Sequence, residues 1–251
     1  MPPREFTNSR AWSLSKISVQ KPYRHHGQRN ACSSEPLLRV PAATDGSLTN
    51  QRANATLGTG HSSFNNNFGV ERFNVRHVVL YQLLSLDGVA ETPDDFILHF
   101  DDVMEENLRQ VISAQDTVLL GRNMYDEWSE YWPKSDDEPF SSFINGVAKY
   151  VVTSTPPLRS WSNTTVAQGS LAELVARLKR ESGGDIGVHG SVALSRSLLA
   201  LGLIDELRLV IAPSVIGAGR KLFEGTSPHR FEVVSNVTSP TGYLLVGLRS
   251  V

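Results

Sequence analysis

Val78-Val79-Leu80-Tyr81-Gln82-Leu83-Leu84, running directly into Ser85-Leu86-Asp87-Gly88, is the stretch that decides the fold. A nearly continuous apolar run of this length suits a strand buried on both faces, as in a parallel sheet covered by helices. The Asp-Gly pair that follows is turn chemistry. The strand therefore ends near Leu84, and its carboxyl end carries a carboxylate.

Outward from this strand, short runs at 117–120, 150–153, 164–167, 186–189 and 207–212 have the same texture, and most are separated by helical patterns. Alternation of strand and helix implies a largely parallel sheet. The clearest helix starts at Ser170, whose hydroxyl caps it while Glu173 reaches back. Leu171, Leu174, Val175 and Leu178 share one face, and Gly183-Gly184 stops it. Residues 231–237 and 243–248 flank a Ser-Pro-Thr-Gly turn and read as an antiparallel hairpin. The expected fold class is α/β, with about eight strands, mostly parallel, flanking helices and a C-terminal antiparallel hairpin.

This domain occupies residues 75–251. Residues 1–74 are rich in Ser, Asn, Arg, Pro and Gly without sustained periodicity, and read as a disordered basic extension. Arg4, Arg10, Lys16, Lys21, Arg24 and Arg29 also suit an organelle import signal; a dispensable extension is the competing reading. His25-His26 falls in this stretch and is not expected to form a site. Residues 1–72 hold nine Lys/Arg against four Asp/Glu, leaving fifteen against twenty-two in the rest. An acidic body without a basic stripe gives no electrostatic reason for a nucleic-acid partner. Cys32 is the only cysteine, which excludes an intrachain disulfide and thiolate zinc sites and fits a reducing compartment, the cytoplasm. No apolar run approaches the roughly 18 residues that a membrane span needs.

Chemistry is expected at the carboxyl ends of the strands, where parallel sheets form their ligand crevice. One such end reads Gly121-Arg122-Asn123-Met124-Tyr125: a tight turn, a helix start with unpaired N–H groups, and a cation. A second is Gly190-Ser191-Val192-Ala193, where the glycine permits close approach of a pyrophosphate, although the full dinucleotide glycine spacing is absent. A third, Thr153-Ser154-Thr155, offers hydroxyls to phosphate or ribose. Each segment also has an ordinary reading, as a turn or a polar loop. Ser85 and Asp87 sit where a substrate ring would lie, and Asp87 is a candidate proton donor or an ordinary turn residue. Trp128, Tyr131 and Trp132 are either an aromatic wall for a flat ligand or core packing. Glu105-Glu106 and Asp136-Asp137-Glu138 read as solvated faces, with no histidine at metal-ligand spacing and no metal expected.

In their shared order, Ser85-Leu86-Asp87-Gly88, Gly121-Arg122-x-x-Tyr125, the run from Lys149 to Ser154, Gly190-Ser191, Leu203-Ile204-Asp205-Glu206-Leu207 and Pro213-Ser214-Val215-Ile216-Gly217-x-Gly219 resemble the riboflavin-biosynthesis reductases of the dihydrofolate reductase-like superfamily. The resemblance implies NADPH laid across the sheet, with phosphates near Gly121 to Met124, Thr153 to Thr155 and Gly190 to Ala193. Arg122 and Ser154 would serve the 2′-phosphate side, and Gly190 and Ser191 the pyrophosphate. Met124 departs from the threonine common in relatives. A fused zinc deaminase is excluded by the single cysteine. Asp205-Glu206 reads as a structural turn or dimer contact.

The expected activity is hydride transfer from NADPH to a C=N or C=C bond of a small planar, pterin- or pyrimidine-like substrate. Asp87 is the candidate proton donor, Tyr125 or water the substitute, and Ser85, Asp87 and Trp128 the substrate contacts. A homodimer is implied by the family. The alternatives are a nucleotide-binding sensor or a dimeric interaction protein that kept the fold without catalysis.

Overall fold

The computed structural model describes residues 76–251. The readings made for residues 1–74, including disorder, import, His25-His26 and Cys32, lie outside the described residues. In chain order the described elements are β1 (Val78–Leu84), α1 (Asp102–Ser113), β2 (Gln115–Gly121), α2 (Arg122–Tyr131), α3 (Phe140–Gly146), β3 (Ala148–Val152), β4 (Thr164–Val166), α4 (Leu171–Arg180), β5 (Asp185–His189), α5 (Val192–Ala200), β6 (Glu206–Ile211), β7 (Phe231–Thr238) and β8 (Leu244–Ser250).

The strands form one sheet in the order β4-β3-β2-β5-β1-β6-β8-β7. The first six are mutually parallel; β8 runs antiparallel to both β6 and β7. This is the α/β architecture that the sequence implied, mostly parallel with a C-terminal antiparallel hairpin. The chain passes outward from β2 to β4 and then returns to insert β5 between β1 and β2. The carboxyl ends of β1, β2 and β5 therefore become neighbours although they are far apart in sequence.

Side-chain alternation along the central strands divides the core into two. Tyr81, Val118 and Leu120 face one side and pack with Met104, Trp132 and Ile144 from α1 to α3 and their connections. Leu80, Leu119 and Val188 face the other and pack with Leu178 of α4 and Leu198 of α5. Burial on both faces explains the nearly unbroken apolar run of β1, in which Leu83 alone is partly exposed.

Helix α4 begins with the expected capping box, Ser170 Oγ accepting from Glu173 N–H and the Glu173 carboxylate accepting from Ser170 N–H. Asp205, beside the suspected carboxylate pair, is structural: its Oδ2 accepts from Val78 N–H at 2.7 Å and meets Lys179 Nζ at 2.5 Å. Glu105 and Glu106 pair with Arg109 on the exposed face of α1. Lys149 is fully buried, its ammonium donating to the Ile144 and Val147 carbonyls at 2.8 Å each, and burial pushes its pKa down to about 8. Among the described residues no helix is long and apolar enough to cross a membrane.

Candidate active site at the carboxyl edge of the sheet

A helix start leaves up to four backbone N–H groups without intrahelical partners, and a side chain usually takes one of them. The starts of α1 and α4 obey this, capped by Asp101 and Ser170. The starts of α2 and α5 do not: Gly121 has no side chain, and Ser191 makes no capping hydrogen bond. These two open starts lie side by side, because a side chain on Gly121 would collide with the Ser191 hydroxyl. Gly190, just before Ser191, is in the left-handed region at φ 65°. Its missing Cβ would lie 3.0 Å from Met124 Cε and 3.5 Å from Trp128 Cζ2. The sheet edge therefore presents two uncapped, adjacent helix starts, with glycines where a ligand must come close to the backbone. That geometry suits an anion.

A cavity of ≈ 190 Å³ is lined by Met124 from the first turn of α2 and by Gly190 and Val192 from the start of α5. Tyr81, Trp128, Trp132, Phe140 and His189 supply its aromatic walls. Among the described residues, four buried polar atoms of residues that line it have no hydrogen-bond partner: Tyr81 Oη, Gln82 Oε1, Trp128 Nε1 and Trp132 Nε1. Buried polar groups are ordinarily paired, and leaving one unpaired costs on the order of 1–3 kcal/mol. His189 donates from Nε2 to Gln115 Oε1 at 2.8 Å, and complete burial pushes its pKa down to about 3, so the ring stays neutral at physiological pH. Arg122, also from the first turn of α2, lines a second groove of ≈ 620 Å³ together with Thr153, Ser154, Thr155 and the start of α4.

A family model described as the RibD C-terminal domain matches residues 76–245. The chain belongs to the RibD C-terminal domain family. Among its relatives is the uncharacterized protein YyaP of Bacillus subtilis (strain 168), 32% identical over 157 residues, covering 59% of this chain and 80% of YyaP. YwjB from the same organism is 28% identical over 151 residues, covering 59% and 83% of the two chains. A crystal structure described as a putative riboflavin biosynthesis protein from Shewanella sp. PV-4 superposes with a TM-score of 0.57 at 17% identity, covering 70% of this chain and 99% of the other. The Thermotoga maritima diaminohydroxyphosphoribosylaminopyrimidine deaminase/5-amino-6-(5-phosphoribosylamino)uracil reductase superposes at 0.51 and 15% identity, covering 70% and 57%. Both likenesses establish a shared reductase-like fold.

Within this RibD C-terminal domain the three loops chosen from sequence do converge. Asn123 and Ala193 are exposed at the two open helix starts, and Val192 and Gly190 line the cavity. Arg122 is less free than expected: Nε donates to Asp126 Oδ2 at 2.5 Å, and Nη1 donates to the Thr155 carbonyl and hydroxyl at 2.8 Å each. It ties the start of α2 to the loop after β3, leaving Nη2 without a hydrogen bond among the described residues. Thr153 Oγ1 also turns inward, donating to the Thr155 carbonyl at 2.7 Å. Of the three aromatics beyond α2, Trp128 and Trp132 both pack and line the cavity, whereas Tyr131 donates its hydroxyl to Asp137.

The structure gives three of the candidate residues structural partners. The Asp87 carboxylate accepts from Ile216 N–H at 3.0 Å, Gly217 N–H at 3.1 Å and Ser85 Oγ at 2.8 Å. These bonds hold its pKa well below the usual carboxylate range, with Ile216 N–H the largest cause. A carboxylate so held stays ionised, and it anchors the loop after β6 to the loop after β1. Ser85 is part of the same anchor, buried, donating to Asp87 and accepting from Val89 N–H at 2.9 Å; it does not line the cavity. Tyr125 is a core residue, 1% exposed, with its hydroxyl donating to the Arg159 carbonyl at 3.1 Å. What sequence reasoning missed is Tyr81, Gln82, Glu91, Glu127 and Arg220, all of which line the cavity. Tyr81 and Gln82 looked like ordinary strand residues, and no local signal marked the others.

The Asp87 anchor has a testable pH signature. A carboxylate whose pKa is depressed on folding stabilises the fold fully above its unfolded value, near 3.9, and loses that contribution as pH falls through the window below it. Asp87→Asn is expected to lower Tm at pH 7. The gap from wild type should narrow as pH drops below about 4, read from thermal melts by circular dichroism. A constant gap across pH 3–7 would show that the anchor does not depend on charge.

Proposed function

We propose that this protein is an NADPH-dependent reductase that transfers hydride to a C=N or C=C bond of a small planar substrate. The observation that carries this reading is the pair of adjacent, uncapped helix starts at Gly121 and Ser191, set between an aromatic cavity and a polar groove. A dinucleotide has the matching layout: a flat ring at one end, a pyrophosphate in the middle, and a phosphorylated ribose at the other. Membership of the RibD C-terminal domain family supports the same reading.

The chain's own residues would then divide the work. The N–H groups at the starts of α2 and α5 would hold the pyrophosphate, with Gly190 allowing close approach. Arg122 Nη2, Ser154 and Thr155 would receive the 2′-phosphate in the groove. The walls formed by Trp128 and Trp132 would orient a planar substrate and exclude water, since hydride transfer depends chiefly on holding donor and acceptor together. NADPH when bound supplies the hydride. With Asp87 locked in an anchor and Tyr125 in the core, the proton comes from water at the cavity mouth.

Titration of the full chain with NADPH and NADH, followed by nicotinamide fluorescence, tests this. Saturable NADPH binding is expected, weakened on the order of tenfold in Arg122→Ala with NADH affinity changed less. Absence of binding by either nucleotide at millimolar concentration would overturn the reading. Met124 covers Gly190 where relatives commonly carry a shorter threonine, so Met124→Thr is expected to raise NADPH affinity in the same titration.

A further inference from the structure

The chain has three methionines, and two of them, Met104 and Met124, fall within the described residues. Their surroundings are opposite. Met104 is fully buried in the core cluster that also holds Val118 and Leu120. Met124, in the first turn of α2, is partly exposed and lines the ≈ 190 Å³ cavity. Its side chain reaches toward the start of α5: Cε lies 3.0 Å, and Sδ 3.7 Å, from the point where a Cβ on Gly190 would stand. An accessible thioether thus extends from one uncapped helix start to the other, over the glycine that leaves the backbone open.

Hydroperoxides oxidise a thioether directly, and exposure governs which methionine of a folded chain reacts. The sulfur lone pair attacks the outer oxygen of the peroxide. An S–O bond forms as the O–O bond breaks. Sulfur loses two electrons, the peroxide is reduced to water or an alcohol, and the proton of the transferred oxygen leaves with that fragment. The sulfoxide is polar and chiral where the thioether was apolar and adaptable. At Met124 the change has a local consequence. Backbone N–H groups at an uncapped helix start favour an oxygen that carries negative charge. A sulfoxide oxygen is such an acceptor, here tethered in the same turn as those groups. The aromatic cluster against which Met124 packs, Trp128 and Trp132 included, loses an apolar neighbour at the same time.

We propose that Met124 is the peroxide-sensitive site of the described domain, and that its sulfoxide, by offering an acceptor to the open helix starts, displaces the dinucleotide pyrophosphate. The first half stands on exposure and position; the second rests on the reading of these helix starts as the NADPH site. Oxidation of one side chain then couples the redox state of the surroundings to cofactor occupancy. A methionine sulfoxide reductase reverses it, two thiols supplying the electrons and protons that release the oxygen as water.

Mild treatment of the full chain with hydrogen peroxide, followed by peptide mass mapping, tests the site. The peptide that holds Met124 should gain one oxygen several-fold faster than the peptide that holds Met104. The two rates should converge in guanidinium chloride, where the fold no longer shields Met104. Titration with NADPH, read by nicotinamide fluorescence, tests the consequence. Affinity should fall on the order of tenfold in the treated chain, with the fold intact in a thermal melt, and recover after incubation with methionine sulfoxide reductase. A thiol reductant alone, which reverses disulfide or sulfenic acid formation at Cys32 but leaves a sulfoxide in place, should restore nothing. Met124→Leu, compared with its own untreated sample, should keep its affinity through the treatment. Equal oxidation of Met104 and Met124 in the folded chain, undiminished NADPH affinity once Met124 is fully oxidised, a collapse of Tm on oxidation, or the same loss in Met124→Leu would overturn the proposal. Failure of the untreated chain to bind NADPH sinks the reductase reading together with the pyrophosphate step, and the mass map then decides the oxidation site by itself.

Discussion

Gly190→Val is expected to reduce NADPH affinity by at least about 100-fold, a loss near 2.7 kcal/mol, in a protein that still folds. Two effects combine. At φ 65° a residue with a Cβ is strained, by roughly 1–2 kcal/mol for ordinary side chains and more for a β-branched one. The new Cβ would also meet Met124 Cε at 3.0 Å and Trp128 Cζ2 at 3.5 Å. Met124 is flexible and can yield, so the fold tolerates the change. The ligand does not share that latitude, because the new methyl groups stand at the open start of α5, where the pyrophosphate must reach backbone N–H groups. Gly190→Ala should lie between the two, losing on the order of tenfold. Nicotinamide fluorescence measures the affinity, and a melt of each variant separates misfolding from lost binding. Undiminished NADPH affinity in folded Gly190→Val would remove this loop from the cofactor site.

Trp132→Ala is expected to cost about 3–5 kcal/mol, the range for deleting a large buried aromatic. Trp132 is 2% exposed, with ring centroids 4.9 Å from Tyr131, 4.9 Å from Phe140 and 5.8 Å from Trp128. The alanine would leave a void where three rings now meet edge to face. At about 2–4 °C per kcal/mol for a domain of this size, Tm should fall by roughly 6–20 °C. Trp132→Phe should behave differently. The indole N–H has no protein partner, so its loss removes no hydrogen bond from the fold, and the cost should stay below about 1.5 kcal/mol. A Tm loss in Trp132→Phe as large as that in Trp132→Ala would show that the indole, and not ring packing in general, carries the stability.

These two positions show how differently sequence speaks about site and scaffold. Gly190 could be read locally: a glycine between a β-branched strand and a helix start implies a special backbone and an anion-accepting turn. Trp132 could not be resolved between wall and core, because an aromatic near a proline has the same local pattern in either place. In the structure it is both.

Sequence alone located the strands, because period and apolar content are local properties: the run from Val78 to Leu84 suits a strand covered on both faces. It determined the α4 capping box, whose partners are three residues apart, and the carboxyl-edge loops that carry the open helix starts. The tertiary structure decided which of these segments meet and how their polar atoms are occupied. Asp87 looked catalytic until Ile216 and Gly217, 129 and 130 residues away, were found donating to it. Glu127 carried no signal in the sequence, and the fold sets it in the lining of a cavity built partly by Tyr81 and His189. A side chain's chemistry depends on the charges and donors around it, and in a sheet whose strand order differs from its chain order those neighbours come from distant sequence.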